Sequence, residues 1–167
     1  MQRLILMRHA EAERTSASGG DRERPLSARG RSDAAAMGRT LSARGFRPDL
    51  ALVSPATRAR QTWDLVHDAM GDVEVREDAP LYNGSAETLR RLIDASADAA
   101  GCLLVVAHNP GVHLLAVEYL VESAASPAAL DRMSGGFSPG AAAVFTIDAS
   151  GRPVFEGLLQ PRDLEGR

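Results

Sequence analysis

The chain has 167 residues, of which 44% are hydrophobic and 25% charged, the usual balance of a globular domain. Its net charge of −3 argues against a nucleic-acid-binding surface, because such surfaces usually carry an excess of basic residues. All 19 basic residues are arginine, so mechanisms that need a catalytic lysine are excluded. The one cysteine, Cys102, excludes an internal disulfide and lies in an apolar run, where we expect a small buried side chain.

The apolar residues occur in short runs. The first spans residues 4–7, too short for a signal peptide, and no apolar stretch approaches the roughly 20 residues of a membrane span. No repeat or low-complexity segment divides the sequence. We therefore expect a single domain over residues 1–167, located in the cytoplasm, with neither a nucleic acid nor a membrane as partner. The sequence does not indicate the oligomeric state.

Strands and helices are predicted to alternate along the chain. Continuous apolar runs of four to six residues are typical of strands covered on both faces, whereas apolar residues three and four positions apart indicate helices. In chain order the pattern predicts a strand at 4–7, a helix at 30–44, a strand at 50–53, a helix at 56–70, an edge strand at 72–77, a helix at 86–98 capped by Ser85, a strand at 102–107, a helix at 111–123, and a hairpin of strands 141–148 and 153–158. This alternation predicts an α/β sandwich.

Two connections are longer than a simple link requires. Residues 10–28 are rich in charge, and residues 124–140 contain the turn-rich sequence SGGFSPG. We expect both to be loops, and long loops in compact domains are often functional. Whether the 124–140 loop borders a functional site is left open by the sequence.

Polar residues follow each of the three apolar runs. Arg8 and His9 end the first run, Ser54 ends the second with Arg58 one helical turn further on, and His108 follows the third. Ligands of open α/β sheets bind at the carboxyl ends of the strands. If the three strands are parallel, two histidines and two arginines therefore meet at one edge of the sheet.

This set of side chains suits phosphoryl transfer. The planar fork of arginine grips phosphate oxygens, a neutral histidine can attack phosphorus, and a protonated histidine can stabilise the developing charge. Phosphoryl transfer depends mainly on positioning and charge stabilisation, so such a pocket could work without a metal or another cofactor. Spacing alone does not say which histidine attacks.

A zinc site is the rival interpretation, with the two histidines and carboxylates such as Glu11 and Glu13 as ligands. The sequence has no H-E-x-x-H motif and no Cys/His cluster, and two arginines would repel a cation. A serine nucleophile is not predicted either, because no G-x-S-x-G motif is present. We expect no metal and no cofactor.

Several motifs resemble those of a known family. LMRHAEAE resembles the Arg-His-Gly signature of the histidine phosphatase superfamily, whose fold is phosphoglycerate-mutase-like, with Ala10 in the third position. SPATRARQT at 54–62 and VVAHNPGV at 105–112 resemble the second arginine and second histidine motifs. Three further segments are similar to the small SixA-type phosphohistidine phosphatases: 24–38, 81–89 and 161–164. The resemblance implies a three-layer α/β/α sandwich with a mixed, mainly parallel central sheet.

The resemblance also implies roles for particular residues. His9 would be the nucleophile that is transiently phosphorylated. Arg8, Arg58 and His108 would surround the phosphoryl group, with His108 as the protonated partner and Asn109 as a further substrate-binding residue.

A general acid is less clearly indicated. Many relatives use a glutamate to protonate an alcohol leaving group, and the SixA-type branch lacks a clear equivalent. Glu87 is the nearest candidate here, although a glutamate in the first turn of a helix is also explained by the helix dipole. Asp21 and Glu11 are weaker candidates. Without an acid, the imidazole of a phosphohistidine, which solvent can protonate, leaves more readily than an alkoxide.

The predicted function is a metal-independent phosphatase that acts on protein phosphohistidine through phospho-His9. One alternative is a phosphomonoesterase that uses the same site on a small phosphate ester. Another is a catalytically silent module that binds phosphorylated partners. His113 lies inside the following helix and is expected to be structural.

Overall fold

A six-stranded mixed sheet forms the centre of the computed structural model, which describes residues 1–164. The strands run in the order β3-β2-β4-β1-β5-β6. Neighbours among β1 to β4 are parallel, and β5 and β6 are antiparallel to their neighbours, so the mixed, mainly parallel sheet is confirmed. The strand bounds are β1 Arg3–Arg8, β2 Leu50–Val53, β3 Glu74–Glu77, β4 Cys102–Ala107, β5 Ala142–Ile147 and β6 Pro153–Leu159.

Helices cover both faces of this sheet, which confirms the three-layer arrangement. Side chains of α1 and α2 pack against one face and side chains of α3, α4 and α5 against the other. The helix bounds are α1 Ala28–Ala43, α2 Thr57–His67, α3 Ala86–Ser96, α4 Gly111–Glu122 and α5 Pro127–Ser134; shorter 3₁₀ turns lie at Ala79–Leu81, Ala97–Ala99 and Pro161–Leu164.

Successive side chains of the buried strands point to opposite faces of the sheet and so contribute to two hydrophobic cores, one on each face. In β1, Leu4 and Leu6 face the layer of α3 to α5, whereas Ile5 and Met7 face α1 and α2. Cys102 is buried at the start of β4, as expected. Such continuous burial explains why the strands read as apolar runs without polar alternation.

One prediction about the connections is wrong. Residues 124–140 are not a simple loop, because α5 occupies Pro127–Ser134. The hydroxyl of Ser126 accepts the N–H of Ala129 and caps this helix, and Pro127 stands at its first position, where the missing N–H costs nothing. Met133 is the fully buried anchor of α5. The other elements appear where predicted, with ends that differ by a few residues.

Strand order positions the candidate site. β4 lies between β2 and β1, and their final residues are in register, with Arg8 beside Ala107 and Val53 beside Val106. The segments that follow these three strands therefore emerge side by side. None of the helices within residues 1–164 has the length and hydrophobicity of a membrane-spanning segment.

Candidate active site

The four residues singled out at the strand ends lie together at this edge of the sheet. The rings of His9 and His108 are 5.0 Å apart between centroids. Arg58, at the start of α2, lies between them, with its Nε 3.4 Å from His9 Nε2 and its Nη2 3.4 Å from His108 Nδ1. His9, Arg58 and His108 are all buried, and Arg8 is close enough to influence both histidines electrostatically.

A backbone contact orients His9. Its Nδ1 lies 2.7 Å from the carbonyl oxygen of Ala10, which can only accept, so Nδ1 carries the hydrogen and Nε2 keeps its lone pair. Burial, partly offset by this hydrogen bond, and the neighbouring His108, Arg58 and Arg8 lower the pKa of His9 to about 3. His9 is therefore neutral near pH 7, with Nε2 available as a nucleophile.

Thr62 ties the nucleophile segment to α2, and sequence reasoning missed it. The hydroxyl of Thr62 accepts the N–H of Ala10 at 3.0 Å and donates to the carbonyl of Arg58 at 2.7 Å. Thr62 is completely buried. Its position one helical turn after Arg58 was a signal, since i and i+4 residues share a helix face.

His108 is held between a hydroxyl and a guanidinium. Its Nε2 is 2.7 Å from Ser54 Oγ, and its Nδ1 faces Arg58 Nη2, which can only donate. Nδ1 therefore accepts and Nε2 donates to Ser54. Burial, with the adjacent Arg58, lowers the pKa of His108 to about 4, so this histidine is also neutral in the free protein near pH 7. A protonated His108 requires an anion beside it.

The 124–140 segment borders the site, which answers the question that the sequence left open. The carbonyl oxygen of Phe137 accepts hydrogen bonds from Nη1 of Arg8, at 3.1 Å, and from Nδ2 of Asn109, at 3.0 Å. Burial and the nearby Arg58 lower the pKa of Arg8. One backbone carbonyl therefore positions two of the residues expected to bind the phosphoryl group.

Asp21, from the charged 10–28 loop, reaches Arg58 directly. Arg58 donates from Nη1 to the Asp21 carbonyl at 2.8 Å and from Nη2 to Oδ2 at 3.2 Å. The Tyr82 hydroxyl also donates to Oδ2, at 2.5 Å, and Arg24 donates to Oδ1 at 3.0 Å. The Tyr82 hydrogen bond, with those two arginines, lowers the pKa of Asp21 to about 2. An ionised carboxylate of this kind holds Arg58 in place and is a poor proton donor.

The other acidic candidates lie elsewhere. Glu87 is exposed in the first turn of α3 and makes no hydrogen bond or ion pair with the four residues in the part of the chain that the structure describes. Glu11 accepts the hydroxyl of Ser27 at the start of α1. Within residues 1–164 there is no group of three or more His, Cys, Asp or Glu side chains that could hold a metal ion.

Comparison with known proteins agrees with this fold. The model of the histidine phosphatase superfamily (branch 1) matches residues 4–92, and the chain belongs to this superfamily. The matched region contains Arg8, His9 and Arg58. Membership supports phosphatase activity.

Individual relatives place the chain in the SixA-type branch. It is 34% identical over 141 residues to an uncharacterised protein of Mycobacterium tuberculosis, covering 84% of this chain and 87% of that protein. It is 28% identical over 165 residues to the phosphohistidine phosphatase SixA of Escherichia coli K12, covering 97% and 96% of the two chains. The crystal structure of a SixA-type protein from Agrobacterium tumefaciens superposes with a TM-score of 0.83 at 26% identity, covering 96% of this chain and 99% of that one.

Proposed function

We propose that this phosphatase hydrolyses protein phosphohistidine without a metal, through a transient phosphoryl group on His9. The observation that carries the proposal is the neutral His9, whose Nδ1 is fixed on the Ala10 carbonyl and whose Nε2 faces Arg58. Arg8 and His108 complete a pocket with two arginine forks and a second histidine. This is the donor set that a transferring phosphoryl group needs.

In the first step, His9 Nε2 attacks phosphorus, a new N–P bond forms, and the N–P bond to the substrate imidazole breaks. Arg8 and Arg58 bind the phosphoryl oxygens. Arrival of the phosphoryl dianion raises the affinity of His108 for a proton, because an adjacent opposite charge favours the charged form. The departing imidazole nitrogen takes a proton from solvent.

In the second step, water attacks the phosphorus of phospho-His9. The N–P bond breaks, phosphate is released, and His9 returns to its neutral form. The fixed Nδ1 hydrogen bond holds the ring in one orientation through both steps, so the same geometry serves attack and release.

The acidic candidates within residues 1–164 are unsuited to act as a general acid, which favours a nitrogen leaving group. Asp21, with a pKa of about 2, is ionised at physiological pH, and a good general acid has a pKa near the working pH. An alkoxide leaves poorly without a proton, whereas imidazole leaves as a neutral base once solvent protonates it. The similarity to the Escherichia coli SixA protein supports the same substrate class.

The test is hydrolysis of para-nitrophenyl phosphate in excess EDTA by the wild type, by His9→Ala and by His67→Gln, a histidine on the far part of α2. We expect the wild type and His67→Gln to be active and His9→Ala to lose activity by at least a thousandfold. Intact-mass spectrometry after an alkaline quench is expected to show one phosphoryl group on the wild type and on His67→Gln, and none on His9→Ala. Activity that EDTA abolishes and added metal restores would contradict the mechanism.

Substrate class is decided by comparing a phosphohistidine peptide with a phosphoserine peptide and small alkyl phosphates. We expect kcat/KM for the phosphohistidine peptide to exceed the others by at least a hundredfold. A preference for a small phosphate ester would instead establish the phosphomonoesterase alternative.

A further inference from the structure

A cavity of about 550 Å³ lies on the side of Arg8 and Asn109 that faces α5. The proposed chemistry does not use this space. It is large enough for an amino-acid-sized group, since small-molecule sites typically measure about 300–1,000 Å³. We call it the α5 cavity; its walls include Arg8, Asn109, His113, Ser138, Arg132 and Arg162.

Buried polar atoms without a partner concentrate around this cavity. Among the described residues, four buried side-chain polar atoms have no hydrogen-bond partner, and three of them belong to wall residues: Arg8 Nε, Asn109 Oδ1 and Ser138 Oγ. A buried polar atom that stays unpaired destabilises the folded protein. Three such atoms in the walls of one cavity are polar groups that the protein itself leaves unpaired there.

The charge of the walls favours an anion. Arg8, Arg132 and Arg162 face the cavity, and among the described wall residues Asp131 is the one carboxylate. Arg132 and Arg162 also pair with Asp163, at 2.5 and 3.9 Å, but both pairs are substantially exposed. Exposed ion pairs contribute little, so these arginines can turn toward a ligand at small cost.

We propose that the α5 cavity binds a carboxylate carried by the same substrate whose phosphoryl group reacts at His9. This proposal rests on the proposed function, because Arg8 and Asn109 belong to both places. The carboxylate has two chemical sources: an acidic side chain next to phosphohistidine in a protein, or the acid group of a small phosphorylated compound. Arginine forks on the wall match the planar geometry of either.

The test uses stable ligands, so it does not depend on turnover. Calorimetric titration compares two pairs of ligands. The first pair is 4-carboxyphenylphosphonate and phenylphosphonate. The second pair is a peptide with a non-hydrolysable phosphohistidine analogue flanked by glutamate, and the same peptide with glutamine in place of glutamate. The proteins are the wild type, the double variant Arg132→Gln/Arg162→Gln, Asp131→Asn, and Arg47→Gln as an exposed arginine at the opposite edge of the sheet. Thermal unfolding verifies that each variant is folded.

We expect the wild type to bind the carboxylate member of at least one pair about tenfold more tightly. The double variant is expected to lose this preference while binding the carboxylate-free member within twofold of wild type. Asp131→Asn removes an opposing charge from the wall and is expected to increase the preference about threefold, whereas Arg47→Gln leaves it unchanged.

The outcomes distinguish a protein source of the carboxylate from a small-molecule source, and failure of the cavity proposal from failure of the proposed function. A preference confined to the peptide pair identifies an acidic protein segment, and one confined to the phosphonate pair identifies a small acid. Equal affinity within both pairs, or a preference that the double variant retains, overturns the cavity proposal. Failure of the proposed function is seen separately, as absent hydrolysis of para-nitrophenyl phosphate by the wild type.

Discussion

One hydrogen bond determines which nitrogen of His9 can react. Because Nδ1 donates to the Ala10 carbonyl, Nε2 carries no hydrogen, and its lone pair faces the Arg58 Nε–H at 3.4 Å. The same peptide segment is fixed a second time through Thr62, which accepts the Ala10 N–H. The nucleophile is therefore held by the backbone that follows β1, and its orientation depends on a buried threonine of α2.

Thr62→Val tests this support. The substitution preserves volume but leaves the buried N–H of Ala10 unpaired, so we expect a loss of about 1–3 kcal/mol in the free energy of unfolding and about a tenfold lower kcat. Chemical denaturation and steady-state kinetics measure the two effects. Thr40→Val is the matched control, because the Thr40 hydroxyl also donates to a carbonyl one turn earlier but lies far from His9. Equal effects of the two substitutions would contradict a positioning role.

Asp21→Asn tests whether Asp21 positions Arg58 or donates a proton. We expect kcat/KM to fall about tenfold for para-nitrophenyl phosphate and by the same factor for phenyl phosphate, because loss of the Asp21 charge loosens Arg58 regardless of the leaving group. A general acid would matter far more for phenyl phosphate, whose leaving group is poorer.

Glu87→Gln is expected to stay within twofold of wild type on both substrates; a selective loss on phenyl phosphate would identify Glu87 as the acid.

Secondary-structure elements were predictable where the burial pattern is strong. Strands β1, β2 and β4 are buried over their central residues and therefore stand out as apolar runs, and the polar residues after them meet because parallel strands share an edge. Helix α5 was missed because it has eight residues and buries only Met133, which leaves no periodic pattern. The contacts of Asp21 with Arg58 and of Phe137 with Arg8 join distant segments, and no local pattern encodes such pairings.

The start of α4 depends on a close approach between backbones. A Cβ atom on Gly111 would lie 2.0 Å from the carbonyl oxygen of Gly84, so the backbones before α3 and at α4 would have to move apart. We expect Gly111→Ala to cost about 1–3 kcal/mol in unfolding free energy and to lower kcat, since His108 stands three residues earlier. Gly157→Ala in β6 is the control, because a Cβ there meets no atom within 4 Å. A fully active and stable Gly111→Ala protein would contradict this account.

At the scale of the whole molecule, burial of two neutral histidines makes stability depend on pH. Folding lowers the pKa of His9 to about 3 and that of His108 to about 4, from the ordinary value of 6.5. Between pH 6.5 and about 4 the unfolded chain therefore binds protons that the folded chain does not. Stability is fully present above pH 6.5 and is lost as the pH falls, by about 1 kcal/mol per pH unit for each histidine.

Urea denaturation between pH 7 and pH 5 measures this slope. We expect His108→Gln to reduce the slope by the contribution of one histidine, whatever its effect on stability at pH 7. His67→Gln, remote from the site, is expected to keep the wild-type slope. An unchanged slope in His108→Gln would show that the buried pair does not govern acid stability.

The pairing of β1 has a consequence for synthesis on the ribosome. Strand β1 is synthesised before the strands it pairs with, which are residues 102–107 and 142–146. Pairings this distant in sequence form late and slow the folding of a chain. His9, which follows β1, consequently acquires its reactive geometry only after β4 and β5 have been made, and nascent chains that lack these two strands are expected to be inert.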